Sequence, residues 1–307
     1  MIVTFYGTRG SIPAPGPDTV KYGGNTSCIE VEGKEGVLIL DAGSGLRVLG
    51  GHLMAAKNVK ASILVTHTHW DHIQGAPFFM PFFVPGNSFD IYGPGIDRDT
   101  WTGLMFNGEI KLPYGPDIGK TTLEQRFDYQ MSPSHFPLKL EYVLSHPELY
   151  ASISFHDLDP SRKDPTFEIA GFQVTPISLN HTTVTIGYVI QEGSSRLAYI
   201  TDVNHDARDP SGRNSFNRVA GLVEDAVVIH DAQYTREEWV KKSTWGHSTY
   251  ESGVALAKEG NADALILFHH DPAHTDREMD ALEDAAQTYA GPSLDVIAAK
   301  EGLKLRV

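Results

Sequence analysis

The stretch Leu64-Val65-Thr66-His67-Thr68-His69-Trp70-Asp71-His72 sets three imidazoles and a carboxylate directly after an apolar, β-branched run. Such groups are costly to bury unpaired, so they do not read as core packing. In an extended segment alternate side chains share a face, which points His67 and His69 the same way. If a helix starts next, Asp71 and His72 turn toward a neighbouring point, and one short segment offers ligands to two metal ions. Nitrogen and carboxylate donors without thiolate suit zinc, manganese or iron(II). The competing reading is a histidine-rich surface turn.

This H-x-H-x-D-H spacing after a strand resembles the signature of the metallo-β-lactamase superfamily. The later ligands of that superfamily are a His, a bridging Asp and a last His, each at a strand end. Candidates stand in that order: His181 after Val174–Asn180, Asp202 after Leu197–Thr201, and His269 after Ala264–Phe268. The resemblance covers about residues 1 to 75 and 166 to 307. It implies one divalent ion held by His67, His69 and His181, a second held by Asp71, His72 and His269, and Asp202 bridging both. A hydroxide between the ions would then be the nucleophile, since one zinc alone brings bound water to a pKa of about 7. His270 competes with His269 for the last position, but by strand alternation it faces the other way. Asp41, ending Val37-Leu38-Ile39-Leu40, either accepts a ring N–H from a ligating histidine or forms the turn before Gly43. His274 reads as a surface or supporting group.

Two further segments resemble paired motifs of the ribonuclease Z and phosphodiesterase branch: Val228-Ile229-His230-Asp231-Ala232-Gln233-Tyr234 and Trp245-Gly246-His247-Ser248-Thr249. The resemblance implies that Asp231 orients His247, which protonates the leaving oxygen. Here Asp replaces the more usual Glu, so the acid is shorter and its reach to the ring is in question. The alternative for His247 is packing against Trp245, and His230 reads as structural. The loops Gly7–Ser11 and Tyr22–Ser27 resemble those of the same branch, serving as tight turns with Arg9 or Asn25 as candidate site-lining groups.

The elements that must position these groups are short strands and interleaved helices. Expected strands run Ile2–Tyr6, Cys28–Glu32, Val37–Asp41, Ala61–Thr66, Phe172–Ser178, Ile186–Gln191, Leu197–Thr201, Ala226–Ile229 and Ala264–Phe268. Expected helices run Gly45–Ala56, Ser248–Lys258 and Asp276–Tyr289. Two sheets with helices outside agree with the α/β, four-layer αββα sandwich that the resemblance implies. Ser248-Thr249-Tyr250-Glu251 and Thr275-Asp276-Arg277-Glu278 both fit the capping-box pattern.

The reading is one domain over 1–307 with an insertion at approximately 78–165. That stretch holds 15 of the 30 aromatics, with 12 acidic and 7 basic residues. It reads as an irregular insertion with a small core of its own, or as a lid, substrate wall or homodimer contact beside the metal mouth. The chain has 307 residues and a formal charge of −14, which works against gripping long nucleic acid through its phosphates. No apolar run is long enough to span a bilayer, and the N-terminus reads as a strand, so a cytoplasmic enzyme without a membrane partner is expected. Cys28, the single cysteine, excludes an internal disulfide and reads as an inert core residue.

The leading expectation is a dinuclear phosphodiesterase acting on a small anionic diester such as a cyclic nucleotide. Zinc is the first choice of metal, with manganese and iron as alternatives. The same centre also suits a lactone, ester or thioester hydrolase. A non-catalytic, ligand-binding descendant of the fold is the third reading.

Overall fold

β-Branched and aromatic runs bounded by glycine-rich turns build two sheets. The computed structural model describes residues 1–95, 122–159, 165–205 and 210–307. The first sheet holds β1 (Ile2–Gly7), β2 (Cys28–Glu32), β3 (Val37–Leu40), β4 (Lys60–Leu64), β5 (Ser88–Pro94), β6 (Ser152–Leu158) and, at its far edge, the last strand β14 (Lys304–Arg306). The second holds β7 (Phe167–Ile169), β8 (Phe172–Leu179), β9 (Thr185–Glu192), β10 (Ser195–Ile200), β11 (Val227–Asp231), β12 (Ala264–Phe268) and β13 (Asp295–Ala298). Strand orders are β14-β1-β2-β3-β4-β5-β6 and β13-β12-β11-β10-β9-β8-β7. Each sheet is antiparallel on one side and parallel on the other. The parallel runs are β3 to β6 and β10 to β13.

Helices α1 (Gly45–Leu53), α2 (Trp70–Ile73), α3 (Leu123–Gln130) and α4 (Leu140–Ser145) go with the first sheet. With the second go α5 (Pro210–Ala220), α6 (Arg236–Lys242), α7 (Tyr250–Glu259) and α8 (Asp276–Ala290). Three apolar clusters stack in order. Leu46 and Leu49 of α1 join Phe79, Phe89, Phe127 and Leu140 outside the first sheet. Phe5, Ile29 and Leu64 meet Tyr188, Ile266 and Phe268 between the sheets. Val219, Val254, Met279 and Leu282 pack outside the second sheet. Burying each such side chain contributes roughly 1.5–3 kcal/mol, far more than the local propensity of any short strand, so the layers hold together by packing. The four-layer αββα arrangement is the expected one.

Two expectations need correction. The stretch 78–165 is not irregular where it is described, because it supplies β5 and β6, which extend the first sheet in parallel register beside β4. Its described aromatics form no separate core: Phe79, Phe82, Phe89 and Phe127 share one cluster with α1. Residues 96–121 and 160–164 of that stretch lie outside the described residues. The second correction is at α7, where the capping box does not form and the N-cap residue Thr249 makes no side-chain cap bond. The Ser248 hydroxyl instead donates to the Val203 carbonyl at 2.6 Å. The box at Thr275 and Glu278 does form, and two others appear at Thr122 with Gln125 and Thr235 with Glu238. Among the described residues no helix is long and apolar enough to cross a membrane.

Candidate metal centre

The loops leaving the carboxyl ends of β3, β4, β8, β10, β11 and β12 converge at one end of the sheet pair. Open α/β sheets present ligands there. Three of these exits kink through the left-handed region at a non-glycine residue: Asp41 (φ 60°), Asp202 (φ 54°) and His269 (φ 61°). Asp and His tolerate this conformation better than most residues, but it still carries strain.

The seven groups expected to bind metal come together. Ligand atoms of His67, His69, His181 and Asp202 lie within 4.8 Å of one another, and so do those of Asp71, His72 and His269. Asp202 stands between the sets. Its Oδ1 is 3.7 Å from Nε2 of both His67 and His181, while its Oδ2 is 3.1 Å from His72 Nε2 and 3.3 Å from His269 Nε2. Asp71 Oδ2 lies 3.3 Å from His72 Nε2 and 3.2 Å from His269 Nε2. His69 is the exposed member at the mouth; the other six are buried.

Outer partners fix which ring nitrogen faces inward. His72 Nδ1 donates to Asp41 Oδ2 at 2.8 Å, and His181 Nδ1 donates to the Gly246 carbonyl at 2.8 Å. His269 Nδ1 donates to Gln233 Oε1 at 3.2 Å. The Nε2 lone pairs of all three therefore point at carboxylate oxygens and at each other, with His72 Nε2 3.2 Å from His269 Nε2. His67 Nε2 is buried and, among the described residues, has no hydrogen-bond partner. Lone pairs and carboxylates facing one another need positive charge between them, and this donor set suits divalent cations. The titration of the groups divides: burial lowers His72 and His269 less than the carboxylates raise them, Asp202, Asp71 and Asp41 acting on His72 and Asp202, Asp71 and Asp231 on His269, so both shift up. Burial pushes His67 well down, and it brings His181 down to about 3. Burial alone would raise Asp202, but His269, His72 and His67 together hold it well below the usual carboxylate range.

Asp41 is a carboxylate acceptor for a ring N–H, which resolves the choice left open by its sequence. It also accepts from Thr66 N (2.7 Å) and from the Tyr199 hydroxyl (2.7 Å). His270 turns away, its Nε2 donating to the Ala299 carbonyl at 2.7 Å. Arg9 is fully buried and clamps backbone, donating to the carbonyls of Gly23 (2.8 Å), Asp271 (3.0 Å) and His274 (2.7 Å). Its loop does reach the centre, because the Ser11 N–H donates to Asp71 Oδ2 at 2.7 Å. Asn25 is engaged with Glu301. His274 is buried and bonds Glu238 at 2.9 Å, and Cys28 is a buried core thiol. His230 donates to the Asp231 carbonyl and stays structural. Gln233, Tyr199, Thr66 and Ser11 support the centre without having stood out in the sequence. Gln233 alone had a signal, being two residues after Asp231 and so on the same loop.

Asp231 is fully buried and accepts four N–H groups. Its Oδ2 takes His247 Nδ1 (2.8 Å) and Asp202 N (3.1 Å). Its Oδ1 takes Ser248 N (3.1 Å) and Gln233 N (3.2 Å). The shorter acid therefore reaches the ring. His247 stacks on His269 with ring centroids 4.9 Å apart, and Trp239 Nε1 donates to its carbonyl at 3.0 Å. With Nδ1 held by Asp231, Nε2 is the nitrogen left for exchange with another molecule.

Comparison with known proteins gives the family. A beta-lactamase superfamily domain matches residues 113–270, and a metallo-beta-lactamase superfamily model matches residues 22–87. The ribonuclease Z of Methanosarcina acetivorans is 26% identical over 323 aligned residues, covering 99% of this chain and 97% of that protein. Among solved structures, the metallo-beta-lactamase fold protein YhfI of Bacillus subtilis superposes with a TM-score of 0.65 at 18% identity, covering 99% of this chain and 98% of the other. The short form of human tRNase Z superposes with a TM-score of 0.63 at 20% identity, covering 100% and 99%. These two structures speak for the fold. The chain belongs to the metallo-beta-lactamase superfamily, a family that uses divalent metals, and its similarity to ribonuclease Z supports the ribonuclease Z and phosphodiesterase-like branch within it.

Proposed function

We propose that this protein is a dinuclear metal-dependent phosphodiesterase whose substrate is a small diester such as a cyclic nucleotide. The observation that carries the reading is the Asp231–His247 pair, 2.8 Å apart, set beside the Asp202 carboxylate that stands between the two donor sets. In this reading His67, His69 and His181 hold one divalent ion, Asp71, His72 and His269 hold the other, and Asp202 serves both. Zinc fits these donors, as do manganese and iron(II). Such ions supply an ionised water near neutral pH and screen charge on the phosphoryl oxygens.

The chain's own residues do the rest. Asp41, Gly246 and Gln233 keep Nε2 of three histidines turned inward, so the donor set is built before any ion arrives. As the oxygen of water bonds to phosphorus and the bond to the leaving oxygen breaks, His247 Nε2 gives its proton to that oxygen. Asp231 compensates the imidazolium beforehand and holds the ring against rotation. Positioned proton donors of this kind contribute about 10²–10⁴ in rate. A thioester gains less, because thiolate leaves readily, and a lactone gains less because its ring-opened alkoxide could stay on a metal ion.

A second reading, an RNA substrate, is favoured by the names of the relatives. The formal charge of −14 and the acidic excess of 78–165 weigh toward the smaller diester. The test is metal analysis of the purified protein together with turnover of bis(p-nitrophenyl) phosphate, 2′,3′-cyclic nucleotides, a short RNA, lactones and thioesters. Stoichiometric metal with turnover of cyclic nucleotides is expected. Turnover confined to lactones or thioesters, or a protein that stays metal-free in metal-supplemented medium, would refute the proposal.

A further inference from the structure

Beside the exposed ligand His69 lies a groove of about 320 Å³, lined by Thr68, Trp70, Arg126, Tyr129, Gln130 and His135. That volume is at the low end for ligand sites, roughly 300–1,000 Å³. The groove borders the ligand loop, because Thr68 and Trp70, the neighbours of His69 in sequence, both line it. Arg126 Nη1 donates to the Thr68 hydroxyl at 2.6 Å, which ties α3 to that loop and puts a guanidinium next to the mouth. Trp70 and Tyr129 are each 68% exposed, although both are large and apolar and stand on helices with core available beneath them. Gln130 Nε2 is buried and, among the described residues, has no acceptor. A buried amide donor without a partner is unfavourable until something supplies an oxygen or a nitrogen lone pair.

We propose that this groove seats the nucleoside part of the diester, with the base against Trp70 and Tyr129. This rests on the phosphodiesterase reading and adds the place and the residues that would hold the nucleoside. A heterocyclic base offers two π faces for the exposed rings and ring acceptors for the Gln130 amide, while Arg126 draws the anionic phosphate toward the ions. A fatty acyl chain would use neither the cation nor the amide donor, and a simple lactone has no aromatic face to set against the rings. Base–aromatic stacking tolerates any sequence, so the groove selects nucleosides as a class rather than one base.

The test uses two diesters with the same leaving group, thymidine 5′-p-nitrophenyl phosphate and ethyl p-nitrophenyl phosphate. The ratio of their kcat/KM values isolates the nucleoside. Trp70→Ala or Tyr129→Ala should lower that ratio about tenfold, and Trp70→Phe should keep most of it. Tyr142→Ala, which removes an exposed ring on α4 outside the groove, should leave it at the wild-type value. An unchanged ratio in both groove variants, or an equal fall in Tyr142→Ala, overturns the proposal. Fluorescence titration of the full chain with thymidine 5′-monophosphate separates it from the diesterase reading. Quenching that disappears in Trp70→Phe and weakens in Tyr129→Ala supports the groove even if no diester is cleaved. Quenching indifferent to both variants, or none at all, overturns it.

Discussion

Replacing Asp231 by Asn keeps the shape and removes one acceptor oxygen. The carboxylate takes two N–H groups on each oxygen, so the amide must leave one pair facing an NH2 group. Leaving a buried donor unsatisfied costs about 1–3 kcal/mol, so the variant should lose about 2–6 kcal/mol of stability whichever way the amide turns. The fold should survive at the lower end of that range. The catalytic effect should depend on the leaving group. For a 2′,3′-cyclic nucleotide, whose departing alkoxide needs a proton, kcat should fall by about 10²–10⁴. For bis(p-nitrophenyl) phosphate, whose leaving group departs as a stable phenolate, it should fall far less. Steady-state kinetics on both substrates, with metal content measured on the same preparations, supplies the numbers. His247→Ala and the double variant complete the cycle: if the two groups act as a unit, the double variant loses little more than His247→Ala alone. Equal losses on the two substrates would refute the proton-donor argument. So would multiplying losses in the double variant. A fall in metal content that tracks the loss of activity would instead trace the effect to Asp202, whose N–H Asp231 also holds.

Two other outcomes follow from the packing and the caps. A Cβ on Gly10 would collide with the His269 ring, although the backbone there is ordinary. Gly10→Ala should therefore weaken metal binding about 10–100-fold without touching a ligand, as read by chelator competition. The Glu278 carboxylate is held below its usual range by the backbone N–H and hydroxyl of Thr275. Its contribution is complete above the unfolded value of about 4.3 and is lost as pH falls through the lower folded value. Glu278→Gln should thus lower Tm at neutral pH and flatten its decline in acid. A Tm difference that does not shrink with falling pH would contradict this.

The metal groups were legible because four of them are local in sequence and each of the other three follows an apolar strand. His269 was separable from His270 because the resemblance puts the last ligand directly at its strand end, and β12 stops at Phe268. The supporting groups were not legible for the opposite reason. Tyr199 and Asp41 meet across a separation of 158 residues, and no local pattern announces such a pair. β5 and β6 were missed because Ser88–Pro94 runs into Gly-Pro and Ser152–Leu158 carries His156 and Asp157, so neither shows the uniform burial of β4. At Ser248 the hydroxyl had two acceptable uses, and tertiary contact with Val203 decided between them.

The left-handed kinks at Asp41, Asp202 and His269 bear on any attempt to transplant this chemistry. On a regular strand successive side chains alternate across the sheet, so grafting the same three residues onto uninterrupted strand ends would aim them elsewhere. A scaffold receiving the centre must reproduce the bends as well as the side chains, and must be stable enough to carry roughly 1–3 kcal/mol of strain at each. Glycine at Asp202 or His269 would relax the backbone while erasing the group the bend aims, and at Asp41 it would also strand the buried Thr66 N–H and Tyr199 hydroxyl. Screening such grafts for thermal stability alone would therefore select against the function being moved.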